Sequence, residues 1–268
     1  YRTNAQSRAM EEALRKQNIP YRIFGGLSFY QRKEIKDLLS YFQLVINNDN
    51  EIALKRIINY PARGIGTTTI EKLSVAATDH NISLWKVIEN IHEFNIGLNK
   101  GAIGKLVDFA TKIRSFTGML STTNAYDLGQ HIAENSGILR ELYADKSPEG
   151  VGRYENIQEL LNGLKEFTEN ELEKDNDKNE EELEQIQNQI PLLSTFMEDI
   201  ALLTDADKKV ESEEDKDKVT LMTIHSAKGL EFPYVYVVGL EENLFPSQMA
   251  LLDRVDLEEE RRLFYVAV

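Results

Sequence analysis

The chain has 268 residues, 41% of them hydrophobic, enough for one large domain or two. It has no cysteine, which excludes disulfides, thiolate zinc sites and cysteine nucleophiles and agrees with a reducing compartment. Its formal net charge is −14, and no apolar run reaches the eighteen or so residues of a membrane span, so no membrane partner is expected.

The first segment is locally basic: Tyr1 to Asp37 holds 8 basic and 4 acidic residues. Asn4 is placed to cap a helix from Ala5 to Gln17 whose apolar face is Ala9, Met10, Ala13 and Leu14. Asn18-Ile-Pro20 ends that helix, and Tyr21 to Phe24 reads as a short strand, with Tyr21 and Phe24 as core residues rather than platforms for bases. Gly25-Gly26 breaks the pattern and marks a domain boundary. From there to about Leu203 the periodicity is helical throughout. The strongest helix runs from Gln31 to Ile46, with Ile35, Leu38, Leu39, Phe42, Val45 and Ile46 at helical spacing. Further helices are predicted at Glu51–Asn59, Thr68–Thr78, Ser83–Ile91, Lys105–Leu120, Ala125–Asn135, Arg153–Thr168 and Pro191–Leu203.

Between the first two of these lies Asn59-Tyr-Pro-Ala-Arg-Gly-Ile-Gly-Thr67. Gly64 and Gly66 let the backbone approach a ligand, and a helix that starts at Thr67 or Thr68 offers unpaired N–H donors. With Arg63 as a cation beside Gly64, Ile65, Gly66 and Thr67, the loop suits a DNA phosphate. Read locally, it is equally a capped corner between two helices. Glu169–Gln189, poor in apolar residues, reads as a mobile loop or a solvated helix, and Lys208–Lys218 as a charged linker. Glu166 to Lys218 contains 19 acidic and 6 basic residues, so nearly all the net charge sits there. A polyanion responds to the local patch, and the total therefore does not exclude a nucleic-acid partner.

Val219–Ile224 has the apolar, β-branched character of a buried strand, and Tyr234–Val238 repeats it. His225 to Gly229 between them joins an imidazole, a hydroxyl, an ammonium and a glycine, at the strand end where α/β folds place ligands. Ser226 is placed to cap a turn from Ala227 to Glu231. Composition alone also suits an ordinary strand connection with a solvated lysine. Near the end, Asp256 is expected to cap a helix with Glu258, Glu259 and Glu260 in its first turn, followed by Arg261, Arg262 and the apolar Leu263–Val266.

Three strings in order carry a resemblance. Val219 to Pro233 resembles motif V, and Leu257 to Val268 motif VI, of the superfamily 1A DNA helicases of the UvrD, Rep and PcrA group. Tyr1 to Arg8 resembles the segment that opens the second half of their motor. The resemblance implies an α/β fold: a partial RecA-like parallel-sheet domain (2A), residues 1–24 and 216–268, interrupted by a large, mainly α-helical inserted domain (2B), residues 25–215. It implies an ATP-dependent 3′–5′ DNA helicase that acts on single-stranded DNA and duplex junctions, in a bacterial cytoplasm, with repair or replication proteins as partners. It assigns DNA contacts to Arg2, Asn4, Thr223, His225 and Ser226, and duplex contacts to the loop at Arg63–Thr67. Gly229, Glu231 and Arg262 fall to the ATP site. The family's phosphate loop and magnesium-binding Asp-Glu pair are absent from these 268 residues. The motif VI arginine that would follow Val268 is also lacking, so the chain reads as a fragment that is inactive alone, with ATP and Mg²⁺ as cofactors of a longer protein. A rival of another class is a non-enzymatic duplex-binding or protein-interaction module built around the helix-hairpin-helix-like loop.

Overall fold

The computed structural model describes residues 1–176, 192–210, 217–242, 244–246, 250–252 and 254–268. The chain divides into two compact units, Tyr1–Arg32 with Leu203–Val268, and Lys33–Leu202. The first joins a small parallel sheet to helices; the second is helical among the described residues.

In the first unit, a 3-10 turn at Asn4–Gln6 leads into α1 (Ser7–Lys16), followed by β1 (Tyr21–Ile23) and a second 3-10 turn at Phe29–Gln31. Asn4 does not cap α1. Instead the Gln6 side chain accepts from the N–H groups of Arg2 (2.8 Å) and Thr3 (3.1 Å), closing the turn before it. The buried face of α1 is not the predicted apolar one. Ser7, Arg8 and Glu11 are buried while Ala9 and Ala13 are exposed. Glu11 accounts for this, because its carboxylate accepts from Phe29 N–H at 3.0 Å and Tyr21 Oη at 3.3 Å and pairs with Arg15 at 3.4 Å. A buried carboxylate must be hydrogen-bonded, and this one collects its donors from three elements. Arg32 donates to Asn4 O and Ser7 Oγ and lies over the Phe29 ring. These bonds keep residues 25–32 with the first unit, past the glycine pair where the periodicity changes.

β1 pairs in parallel with β2 (Val219–Leu221), Tyr21 opposite Val219 and Ile23 opposite Leu221. Parallel neighbours need a long crossover, and here the whole second unit intervenes in sequence. β2 is short and not buried: Val219 is 42% exposed. Tyr234–Val238 forms no strand, and Tyr234 and Tyr236 are 86% and 88% exposed. Apolar strand residues become buried only against neighbouring strands or a covering layer, and the described residues supply a two-stranded sheet. Phe24, expected in the core, is 43% exposed for the same reason. After β2 come a one-turn helix, α11 (Ile224–Ala227), and α12 (Arg254–Ala267). Ile224, Phe245 and Leu263 form their small core, with Ala267 against it. α12 starts ahead of Asp256, which therefore sits in its first turn and not at its cap.

The second unit is organised around α2 (Lys33–Ile46), where Ile35, Leu38, Tyr41, Phe42, Leu44 and Val45 are fully buried. α3 (Glu51–Ile57), α4 (Thr67–His80), α5 (Leu84–Glu89), α6 (Lys100–Thr117) and α7 (Ala125–Ser136) follow. Asn50, Ser83, Asn99 and Asn124 cap α3, α5, α6 and α7 through their side chains. α8 (Ile138–Ala144) was not anticipated; it restarts directly from Gly137, whose positive φ turns the chain in one residue. α9 (Pro148–Asn176) begins earlier and ends later than its pattern suggested, opening on a proline at the first helical position. It covers the start of the stretch read as loop or solvated helix; residues 177–189 of that stretch lie outside the described residues. α10 (Leu193–Val210) spans the division between the units, and residues 211–216 of the predicted linker are likewise outside the description.

Candidate nucleic-acid and nucleotide sites

The loop between α3 and α4 is shaped by one asparagine. Asn59 Oδ1 accepts from the N–H groups of Arg63 and Ile65, both at 2.9 Å, which folds Tyr60–Gly64 back on itself. Ile65 is buried and anchors the tip. Gly64 has φ +70, a conformation that strains other residues. Gly66 has ordinary extended geometry, and a Cβ there would meet nothing within 4 Å. Gly66 also stands at the N-cap of α4, where no side chain supplies a capping acceptor. The first bonds back to its carbonyl come from Thr69 and Ile70, so the N–H groups of Thr67 and Thr68 have no protein acceptor among the described residues. Both threonines are exposed.

Arg63 turns inward, against the expectation of a free cation. Its guanidinium donates to Ile57 O (3.0 Å), Pro61 O (3.1 Å) and Ser136 O (3.1 Å), and to the Tyr41 hydroxyl. It lies 5.9 Å from the Tyr41 ring centroid and 5.4 Å from that of Phe109. Burial pushes the Tyr41 phenol up to about 12, so it remains a neutral donor, to Tyr60 O, at physiological pH. The basic group on the outside of the loop is Lys105 of α6, whose ammonium donates to Gly64 O at 3.2 Å. The sequence carries no signal for Lys105, which lies 41 positions from its partner.

In the first unit, Thr223 and Ser226 come together, and the cap is Thr223 in place of the expected Ser226. Thr223 Oγ1 accepts from Ser226 N–H at 3.1 Å and caps α11, and the two hydroxyls are 2.9 Å apart. The turn is therefore Ile224–Ala227, not one that Ser226 caps over Ala227–Glu231. His225 projects from it and is exposed. Partial burial of its ring, and then the nearby Arg2 charge, lower its pKa from the ordinary 6.5, so the ring is neutral at pH 7. Arg2 itself grips Glu260: Nε to both carboxylate oxygens at 3.0 Å and Nη2 to Oε1 at 2.8 Å. Glu260 is only 5% exposed, so this is a partly buried, bidentate pair that ties the first residues of the chain to α12. Nothing in the acidic run Glu258–Glu260 marked Glu260 as the inward member. Asn4 is exposed and offers its carbonyl to Arg32.

Among the residues assigned to ATP, Gly229 has φ +82 with open space where a Cβ would stand, and Glu231 is exposed. Arg262 is exposed and 3.5 Å from Glu259. A carboxylate for a ribose hydroxyl and an open glycine fit part of a nucleotide site; the phosphate loop that would hold the triphosphate is not in this sequence. Among the described residues there is no group of three or more histidine or acidic side chains placed to hold a metal ion. No described helix is long and apolar enough to cross a membrane.

The model of the UvrD-like helicase C-terminal domain matches residues 1–268. The ATP-dependent DNA helicase PcrA of Bacillus subtilis (strain 168) is 41% identical over 271 aligned residues, which cover 100% of this chain and 34% of that protein. PcrA of Staphylococcus epidermidis (strain RP62A) and of Staphylococcus aureus (strain Mu50) are 39% and 38% identical with the same coverage. The chain thus spans about a third of the length of these curated relatives.

Proposed function

The chain belongs to the UvrD-like helicase C-terminal domain family, and from that premise we propose that it supplies the second motor domain, with its inserted helical domain, of an ATP-dependent 3′–5′ DNA helicase. The first unit takes the role of the RecA-like 2A domain and the second that of 2B. In this reading Arg2, Asn4, Thr223, His225 and Ser226 follow the backbone of the translocated single strand, while Gly229, Glu231 and Arg262 border the nucleotide. ATP binding closes the motor and shifts the single-strand grip; the chain's own residues bind and orient, and they move no proton. With no phosphate loop in its sequence, the chain is assigned no ATP turnover of its own, and Mg²⁺ is a cofactor of the whole enzyme. The same premise makes the protein cytoplasmic and bacterial, with repair or replication proteins as partners. A binding module without an enzyme has no support in the relatives' names.

The observation that carries the DNA reading is the α3–α4 loop: unpaired N–H groups at Thr67 and Thr68 behind a glycine whose outer face is empty. A phosphate oxygen is the acceptor such donors suit, and the contact carries no base information. Gly66→Val tests it. A Cβ there would meet nothing within 4 Å and the backbone is in ordinary extended geometry, so the fold is expected to be retained while two methyl groups occupy the approach. Affinity for a duplex of arbitrary sequence is expected to fall at least tenfold, a loss of about 1.4 kcal/mol. An unchanged affinity and salt dependence in a folded variant would reduce the loop to a corner between helices.

A further inference from the structure

We propose that Lys105, carried by α6, is the cation that this loop presents to a duplex phosphate, and that Arg63 is a positioning residue that holds the loop's shape from inside. The inference rests on the duplex reading above and divides its chemistry between two residues. Arg63 has the motif position but not the freedom. Both of its Nη atoms are committed to four protein acceptors, and its faces lie against Tyr41 and Phe109. A guanidinium grips phosphate with a free fork, and this one has committed its fork to Pro61 O in the loop and to Ile57 O, Ser136 O and the Tyr41 hydroxyl on the helices around it.

Lys105 has the opposite character. It is exposed, and one of its three ammonium protons goes to Gly64 O, leaving two for another acceptor. No carboxylate lies within ion-pair distance of it among the described residues. Gly64 is what admits it: a Cβ at that position would stand 2.5 Å from the lysine Nζ. The ammonium therefore lies across the loop backbone, two residues and at most about 7 Å of chain from Gly66. Lys112 stands two helical turns further along the same face of α6 and donates to Asn135 O at 2.7 Å. Partial burial, with Arg63 and Arg140 close by, lowers its pKa, and Asp108 is the carboxylate that opposes them. Lys112, Arg63 and Arg140 thus place further positive charge beside this helix, the sign that a polyanion suits.

The experiment measures the affinity of the 268-residue chain for a fluorescent blunt duplex of random sequence across a salt series. Lys105→Met is expected to weaken binding three- to tenfold at low salt and to flatten the salt slope by about one unit, with thermal unfolding unchanged. Lys105→Arg should restore the slope. Arg63→Lys keeps the charge but loses the fork, and is expected to weaken binding with the slope intact. If Arg63→Lys fails to fold, the exposed Lys105 variants decide the matter alone. An unaltered slope for Lys105→Met, in a chain whose duplex binding Gly66→Val abolishes, overturns the assignment of Lys105 and leaves the loop reading standing. Absence of duplex binding by the unsubstituted chain, or indifference to Gly66→Val, overturns both.

Discussion

His225 illustrates how a residue's neighbours decide what it can do. Its lowered pKa means that folding favours the neutral ring. That contribution to stability is present above pH 6.5 and is lost as the pH falls through the folded value. Phosphate binding has the opposite sign, because an anion favours the imidazolium. Single-strand affinity should therefore rise as the pH drops from 7.5 to 5.5 while the fold weakens, and His225→Gln should remove the rise. Identical pH profiles for the two proteins, measured by fluorescence anisotropy with a labelled oligonucleotide, would take His225 out of the strand contact. The motif string identified this histidine, but not the Arg2 charge beside it, which comes from residues 223 positions away. Arg63 was misjudged for a related reason: a sequence shows that an arginine is present beside a glycine loop, but not which way its fork points. Asn59 holds the loop through two side-chain bonds, and nothing in the string distinguishes it from any other helix-terminal asparagine.

Among the elements, those whose packing partners lie within the chain were legible, and those that depend on distant partners were not. The stripe on α2 is buried as its spacing implied at Ile35, Leu38, Leu39, Phe42 and Val45, with Ile46 at the helix end half-buried, and the helix packs against other helices of its own unit. Tyr234–Val238 has an equally apolar pattern and forms no strand, because a strand is defined by its hydrogen-bonded neighbours and not by its own residues alone. α8 was invisible for want of length: seven residues restarting at a glycine carry little periodicity. α12 shows the energetic side of the same point. Its attachment to the start of the chain rests on Glu260, held by Arg2 through three short contacts in a nearly buried site. Glu260→Gln keeps the shape but removes the charge, and is expected to cost the first unit about 1–3 kcal/mol in chemical denaturation. Glu258→Gln, whose carboxylate pairs with Arg261 at the surface, should change it by less than about 0.5 kcal/mol. Equal effects from the two would show that the Arg2 pair does not anchor the helix.

At the scale of the whole molecule, the charge and the fold are both partitioned. The acidity that makes the total −14 belongs largely to Glu166–Lys218, so the total by itself does not describe the charge that a phosphate backbone meets at the α3–α4 loop. The second unit has its own core around α2, side-chain caps on four of its helices, and both the loop and Lys105. A domain with its own core can fold alone. Residues 33–202 expressed by themselves should therefore show helical circular dichroism and one cooperative thermal transition. The excised unit should also keep duplex binding that is sensitive to Gly66→Val. Because 211–218 holds five acidic and two basic residues, its removal should if anything strengthen binding at low salt. A non-cooperative melt would make the second unit dependent on the first for its stability. Cooperative folding without duplex binding would instead move the DNA contact away from the α3–α4 loop, since the excised unit carries every residue assigned to that contact.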